Sequence, residues 1–195
     1  MPDLLSPHGR VAIVELADEA DAIAAALARL PESERARAEQ LSPTKRREHI
    51  AGRTALHALI GDAVIGVSDR GAPIADGWTC SISHKGTHAV ALAAPAGGSF
   101  IGIDLEHARA PRVDIAPRIL TPNEPRVTGA ALTRVFAIKE AIYKAVDPIV
   151  RRYVKFTEVE LDADDRVASG LPAAIEVWCV AWREHWVATA RATAR

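Results

Sequence analysis

The sequence predicts an α+β protein built from two similar halves. Its 195 residues are 49% hydrophobic and 25% charged, which is the balance of an ordinary globular chain. Strand-like and helical patterns are both present, and the order strand, helix, strands occurs once on each side of a segment rich in alanine and glycine, residues 93–99. We therefore expect an N-terminal half, residues 1–97, and a C-terminal half, residues 98–195, related by a diverged internal duplication.

The N-terminal half begins with a short apolar strand at residues 11–16. An alanine-rich helix follows at residues 19–30 and ends at Pro31, and the pattern is helical again over residues 32–60, where Pro43 marks an entry or a break. The rest of this half is a loop at residues 61–77, a strand at residues 78–82, a turn at residues 83–86 and a second strand at residues 88–92.

The C-terminal half repeats this order with a strand at residues 100–106 and a strong helix at residues 130–146. A proline-broken connection separates the two. Three further strands are predicted near residues 156–161, 174–182 and 186–190.

Charge, cysteine content and hydropathy exclude several classes of protein. The 24 basic and 25 acidic side chains give a net charge of −1, so no overall field gathers nucleic acid or an anionic membrane. The two cysteines, Cys80 and Cys179, are too far apart in sequence for a CxxC site and suit a reducing compartment. We expect neither a signal peptide nor a bilayer-spanning stretch, because residues 1–10 lack a basic stretch followed by an apolar region and the apolar run at residues 22–30 is too short. We expect a cytoplasmic monomer.

The strand at residues 100–106 carries two carboxylates on one face. Alternation places Asp104 and Glu106 on the same side as Gly102, and same-face neighbours lie about 6.6 Å apart along a strand. Two such side chains can converge on one hard cation, with Gly102 leaving room beside them. The alternative is a half-buried strand that shows these groups to solvent.

The helix at residues 130–146 places Glu140 and Lys144 opposite its apolar face. Glu140 is a candidate third oxygen ligand for the cation, and Lys144 a candidate counter-charge for phosphate. The alternative is a solvated i,i+4 ion pair worth about 0.2 to 0.5 kcal/mol.

Phosphate-binding side chains are less clearly marked. The chain has no P-loop, no GxGxxG and no G-x-S-x-G element, and the spacing of His84 and His88 does not fit a zinc protease helix. Basic side chains that could contact phosphate are Lys45, Arg46, Arg47, Arg53 and Arg70. The alternatives are a solvated helix face for residues 45–47 and a structural role for Ser83 and His84.

Five stretches in this order resemble one enzyme family: TKRREHIAGRTALHAL, RGAP, SISHKGTHAVAL, IGIDLE and FAIKEAIYKA. They resemble the 4′-phosphopantetheinyl transferases of the kind that serves enterobactin-type and surfactin-type synthetases. The resemblance covers the chain from about residue 40 to 146, and the tail is compatible with it. It implies two α+β halves related by a pseudo-twofold axis, with coenzyme A bound between them and a phosphopantetheine arm transferred to a serine of a carrier protein.

The resemblance also implies roles for individual residues. Asp104, Glu106 and Glu140 match the carboxylates that hold Mg²⁺, with Glu140 also our candidate for the base, and Lys144 matches the lysine at the coenzyme phosphates. The remaining matches are coenzyme contacts: Ser83 and His84 at the 3′-phosphate end, and Lys45, Arg53 and Arg70, with Arg46 or Arg47 able to replace Lys45. One departure is Ala72, which stands where surfactin-type members carry a lysine.

The segment 107–134 has five arginines and two acidic residues, a local charge of +3. It could dock an acidic acyl, aryl or peptidyl carrier protein, as the resemblance implies; otherwise it is a solvated loop. Two other functions remain open from the residues, a coenzyme A binding module without transfer activity and a metal-dependent phosphate-ester hydrolase.

Overall fold

The computed structural model describes residues 4–195. Its N-terminal part contains a four-stranded antiparallel sheet in the order β1-β2-β6-β5. The strands are β1 (Leu4–Ser6), β2 (Gly9–Glu15), β5 (Trp78–Lys85) and β6 (His88–Pro95), and a small hairpin of β3 (Gly66–Val67) and β4 (Pro73–Ile74) precedes β5.

Three helices connect β2 to this hairpin. They are α1 (Ala20–Ala28), α2 (Glu32–Glu39) and α3 (Pro43–Ile60). The helical pattern of residues 32–60 is thus broken before Pro43, which occupies the first turn of α3, where its missing N–H costs no hydrogen bond. Helix α3 packs on the sheet through Ala55, Leu56 and Leu59 against Ala12 and its neighbours on β6.

The C-terminal part contains a three-stranded antiparallel sheet in the order β10-β11-β7. Its strands are β7 (Ser99–His107), β10 (Ala173–Trp182) and β11 (His185–Ala194). Helix α5 (Gly129–Val150) covers this sheet, and the shorter elements are α4 (Ala116–Ile119) and the hairpin of β8 (Val159–Leu161) and β9 (Val167–Ser169). The α+β class is confirmed, and each part has one long helix on one antiparallel sheet. The boundary at residues 97 and 98, between β6 and β7, stays a prediction.

The two sheets meet through β5 and β7. The apolar face of β7, which includes Ile103 and Leu105, packs against Val90 and Leu92 of β6. The backbone N–H of Ile103 donates to Ser81 Oγ on β5 at 3.1 Å. The opposite face of β7, with Gly102, Asp104 and Glu106, is therefore turned toward α5.

Two predicted boundaries were wrong. Ser83 and His84 do not lie in a turn, because β5 continues to Lys85 and the chain reverses at Gly86, whose φ is 60°. A single 3₁₀ turn, Phe156–Glu158, replaces the first half of the strand predicted at residues 156–161. In the described part of the chain, no helix has the length and apolar character needed to cross a membrane.

Candidate functional site

The site depends on the close approach of α5 to β7 at Gly102. A Cβ atom on this residue would lie 2.0 Å from the carbonyl oxygen of Ala141 and 2.8 Å from the backbone nitrogen of Ala145. Only glycine permits this contact, because no side chain atom fits at such distances. The space beside the carboxylates is therefore filled by the helix backbone, which corrects the expectation that Gly102 leaves room for a cation.

This contact brings Lys144 of α5 onto Asp104 of β7. Asp104 is 5% exposed, and its Oδ1 accepts hydrogen bonds from Lys144 Nζ and from Ser83 Oγ, both at 2.8 Å. Lys144 Nζ also donates to the carbonyl oxygen of Ile103 at 2.8 Å. The second oxygen, Asp104 Oδ2, is buried and has no hydrogen-bond partner within residues 4–195. One carboxylate oxygen is thus fixed by two donors, while the other is a buried acceptor that no donor of the described residues reaches.

Glu106 and Glu140 lie near enough to Asp104 for their charges to interact. Glu106 Oε2 is 2.6 Å from Lys85 Nζ. Burial raises the pKa of Glu140, and the negative charges of Asp104 and Glu106 raise it further. Burial also raises the pKa of Glu106, although Lys85 opposes this shift. The three carboxylates therefore form one mutually repelling acidic cluster, with two lysines as counter-charges.

This cluster has the chemistry of a hard-cation site, although it is not arranged as one. No group of three histidine, cysteine, aspartate or glutamate side chains in the described residues is close enough to hold a metal ion. Asp104 Oδ2 has no hydrogen-bond partner in the described residues, and burial, together with the charges of Asp104 and Glu106, raises the pKa of Glu140. Carboxylate oxygens are the donors that Mg²⁺ prefers, so the residues present fit such an ion.

Two cavities flank the cluster. The larger cavity, about 1190 Å³, is lined by basic residues predicted as phosphate contacts: Lys45, Arg53, Arg70, His84 and Lys144. The smaller cavity, about 770 Å³, contains Lys85, Glu106 and Glu140 at its acidic side and the aromatic rings of Phe136, Tyr143, Tyr153 and Phe156. Tyr143 lines both cavities. The two cavities therefore lie next to each other at Tyr143, with Glu140 lining the smaller one and Lys144 the larger one.

The basic residues of the larger cavity differ in how freely they can bind a ligand. Arg53 is 5% exposed and donates to the carbonyl oxygens of Ile65 and Gly66, so it braces the loop that follows α3. Lys45 is exposed and pairs with Glu48, whose Oε2 is also 3.5 Å from His84 Nε2.

Two residues predicted as coenzyme contacts, Ser83 and Arg46, do not line the larger cavity. Ser83 is buried and its hydroxyl donates to Asp104, which makes it a partner of the acidic cluster. Arg46 has a buried Nε without a partner in the described chain and lines neither cavity.

Sequence reasoning missed three residues of the site. Lys85 follows the SISH stretch and was treated only as part of a turn, yet it binds Glu106. Tyr143, three residues after Glu140, lies on the cavity side of α5. Glu48, three residues after Lys45, is an acidic group among the cations of the larger cavity. The helical spacing of the last two from predicted site residues was the available signal.

The acidic cluster and Lys144 lie between two cavities, so this α+β protein can bring two ligands to one centre. Residues 100–190 match the family model described as the 4′-phosphopantetheinyl transferase superfamily. These residues contain Asp104, Glu106, Glu140 and Lys144, and the match supports assignment of the chain to this superfamily. No curated protein matches the sequence.

Proposed function

We propose that this protein transfers the 4′-phosphopantetheine arm of coenzyme A to a serine of an acyl, aryl or peptidyl carrier protein, with Mg²⁺, and releases 3′,5′-adenosine bisphosphate. The match of residues 100–190 to the superfamily supports phosphopantetheine transfer to carrier proteins in general. The type of synthetase served, enterobactin-like or surfactin-like, rests on the sequence resemblance alone. The cytoplasmic location and the monomeric state remain predictions.

The observation that carries the proposal is the position of the acidic cluster between two cavities of different character. The larger cavity is lined by more basic than acidic side chains, although Glu48, Asp69 and Asp147 are among them, and this balance suits the phosphates of coenzyme A. The smaller cavity reaches Glu106 and Glu140 and is bordered by Arg109, Arg112 and Arg118, which suits the serine-bearing loop of an acidic carrier protein. Two substrates can therefore reach Glu140 and Lys144 from different sides.

The chain's own groups can assist each part of the reaction. The serine oxygen of the carrier forms a bond to the β-phosphorus of coenzyme A, and the bond from that phosphorus to the bridging oxygen of the adenosine bisphosphate breaks. Lys144 places a positive charge beside Asp104, where it can stabilise the charge that develops on phosphate oxygens. Glu140 is our candidate to accept the serine proton, since its raised pKa makes it a stronger base than an exposed glutamate.

The metal would be held by Asp104, Glu106 and Glu140. When bound, Mg²⁺ supplies Lewis-acid stabilisation of pyrophosphate charge. A cation held there would offset the repulsion among the three carboxylates and give a partner to Asp104 Oδ2, which has no hydrogen-bond partner in the described residues.

The experiment that tests the function is transfer to a purified carrier protein. The protein is incubated with coenzyme A, Mg²⁺ and an apo carrier protein, and the intact mass of the carrier is measured. A gain of one phosphopantetheine arm supports transfer. Coenzyme binding without this gain indicates a binding module, and coenzyme breakdown without carrier indicates a phosphate-ester hydrolase.

Substitution of the cluster gives the matched test. We expect Asp104→Asn to lower the transfer rate by about a hundredfold or more, because the cluster loses a charge at its most buried position. Asp164→Asn is the control, since Asp164 is an exposed turn residue that lines neither cavity. An Asp104→Asn protein with the full wild-type rate would contradict the assignment.

A further inference from the structure

Two ion pairs join the β3–β4 hairpin to the end of α5 across the larger cavity. Arg70 donates from Nε to Asp147 Oδ2 at 2.7 Å and from Nη2 to Asp147 Oδ1 at 2.6 Å. Arg151 Nη2 donates to Asp69 Oδ2 at 2.6 Å. We call these four residues the cross-cavity latch. Asp69 and Arg70 are neighbours on the hairpin, and their partners Arg151 and Asp147 are four residues apart, about one helical turn.

The hairpin turn is shaped to present these groups. Ser68 Oγ accepts hydrogen bonds from the backbone N–H groups of Arg70 at 3.3 Å and Ala72 at 3.0 Å. The backbone N–H of Ser68 donates to the carbonyl oxygen of Ala72 at 2.8 Å. Gly71 adopts a φ of 86°, which permits the tight reversal. The turn is therefore ordered within itself, and the latch sets where it stands relative to α5.

The two ion pairs are unequal. The side chains of Arg70 and Asp147 are 31% and 15% exposed, whereas those of Arg151 and Asp69 are 62% and 66% exposed. A bidentate arginine–carboxylate pair fixes orientation as well as distance, while a single bond between exposed groups contributes little. The Arg70–Asp147 pair therefore contributes most to fixing the hairpin turn relative to α5.

The latch residues all line the larger cavity, and Asp147 lies three residues after Lys144 on the same helix. Arg70 was predicted as a coenzyme contact, but two of its N–H groups already donate to the two carboxylate oxygens of Asp147. We propose that Asp147 is a positioning residue for the coenzyme. Through Arg70 it holds the 68–72 turn against α5 and so preforms one wall of the larger cavity. This inference rests on the proposed function, in which that cavity receives coenzyme A.

Exchanging the charges of Arg70 and Asp147, singly and together, distinguishes positioning of the turn by Asp147 from simple attraction of the anionic coenzyme by the cavity. Asp147→Arg adds positive charge to the cavity, so attraction alone predicts tighter coenzyme A binding. Loss of the latch predicts the reverse, because the coenzyme must then order the turn as it binds. We expect Asp147→Arg and Arg70→Asp each to raise the KM for coenzyme A by about tenfold, and the double variant to return to within about threefold of wild type.

The carrier protein provides an internal comparison. Its KM, and kcat at saturating coenzyme A, should stay near wild type in all three variants, because the latch residues do not line the smaller cavity. The matched control is Glu176→Arg, which makes the same charge change on β10, where Glu176 pairs with Arg191 away from both cavities. This control should leave the KM for coenzyme A unchanged.

Hydrogen exchange tests the latch without any ligand. Backbone amides of residues 66–74 should exchange about tenfold faster in Asp147→Arg than in wild type, and slow again in the double variant. Tighter coenzyme binding by Asp147→Arg, additive effects in the double variant, or unchanged exchange would each overturn the proposal. If wild type neither binds coenzyme A nor modifies a carrier, the proposed function fails, and the exchange rates still decide whether Asp147 holds the turn.

Discussion

Position 102 decides how closely α5 approaches β7. Gly102→Ala would place a Cβ atom 2.0 Å from the carbonyl oxygen of Ala141, which is backbone and cannot move alone. We expect a loss of about 1 to 3 kcal/mol in the free energy of unfolding, since overpacking forces the helix outward. Transfer activity should fall further, because the shift carries Lys144 away from Asp104. Denaturant unfolding and the carrier mass assay measure the two effects.

Gly170→Ala is the control for this substitution. No atom lies within 4 Å of a Cβ at Gly170, and its φ is not in the left-handed region. This variant should unfold and react as wild type does. Equal stability of Gly102→Ala and Gly170→Ala would show that α5 and β7 are not held as closely as described.

Single residues also show what the sequence could and could not predict. The alternation of β7 and the apolar face of α5 identified Asp104, Glu140 and Lys144 as candidates for one site, because strand and helix periods are local properties. The purpose of Gly102 was misread, because the sequence does not say which element packs on that face of β7. Ser83 was assigned to the coenzyme by resemblance, whereas its bond to Asp104 depends on how the two sheets meet.

Among the elements, α5 carries a buried ion pair as well as the site. The side chain of Lys139 is 1% exposed, and that of its partner Glu124 is 2% exposed. Lys139 Nζ donates to Glu124 Oε2 at 2.8 Å and to the carbonyl oxygens of Ile119 at 2.6 Å, Val159 at 2.9 Å and Phe156 at 3.2 Å. The pair therefore ties α5 to α4 and to the 3₁₀ turn at Phe156, which both line the smaller cavity, and to the start of β8.

Removing one member of this pair leaves the other charge buried. We expect Lys139→Met to lower the free energy of unfolding by about 3 to 5 kcal/mol, since Glu124 loses its counter-charge. Lys139→Met combined with Glu124→Leu should cost less than the sum of the two single changes, because no unpaired charge remains. Urea unfolding of the three variants measures this coupling, and additivity within about 0.5 kcal/mol would contradict it.

Element boundaries were predictable where turn chemistry was local. Proline separated α2 from α3 at Pro43, and the glycine-rich segment preceded β7. The strand β5 was predicted too short because its last residues, Ser83 to Lys85, are polar. Their extended conformation is stabilised by pairing with β6, in which Ser83 lies opposite Val90 and Lys85 opposite His88. Such pairing is tertiary information that local propensity does not contain.

At the scale of the whole molecule, the net charge is −1, but positive charge is concentrated in one segment. The segment 107–134 carries a charge of +3, and three of its arginines border the smaller cavity: Arg109, Arg112 and Arg118. Val113 and Tyr153, which are 69% and 66% exposed, add apolar surface in the same region. A basic rim with exposed apolar side chains suits an acidic partner that also buries some apolar area.

Charge reversal tests whether this rim docks the carrier protein. We expect Arg112→Glu combined with Arg118→Glu to raise the KM for the carrier by about tenfold or more, because rim charges mainly steer association. The dissociation constant for coenzyme A should not change, since neither arginine lines the larger cavity. Steady-state kinetics with each substrate varied in turn, and calorimetry with coenzyme A, provide the two measurements.

The matched control makes the same change in net charge elsewhere. Arg29→Glu combined with Arg166→Glu alters two exposed residues that line neither cavity, so both constants should stay at their wild-type values. Added salt should raise the carrier KM of the wild type and of this control more steeply than that of the Arg112 and Arg118 variant, because the variant has already lost the attraction that salt screens. If the Arg112 and Arg118 variant weakens binding of the carrier and of coenzyme A equally, or of neither, the carrier docks elsewhere. The arginines of segment 107–134 are then only solvated surface residues.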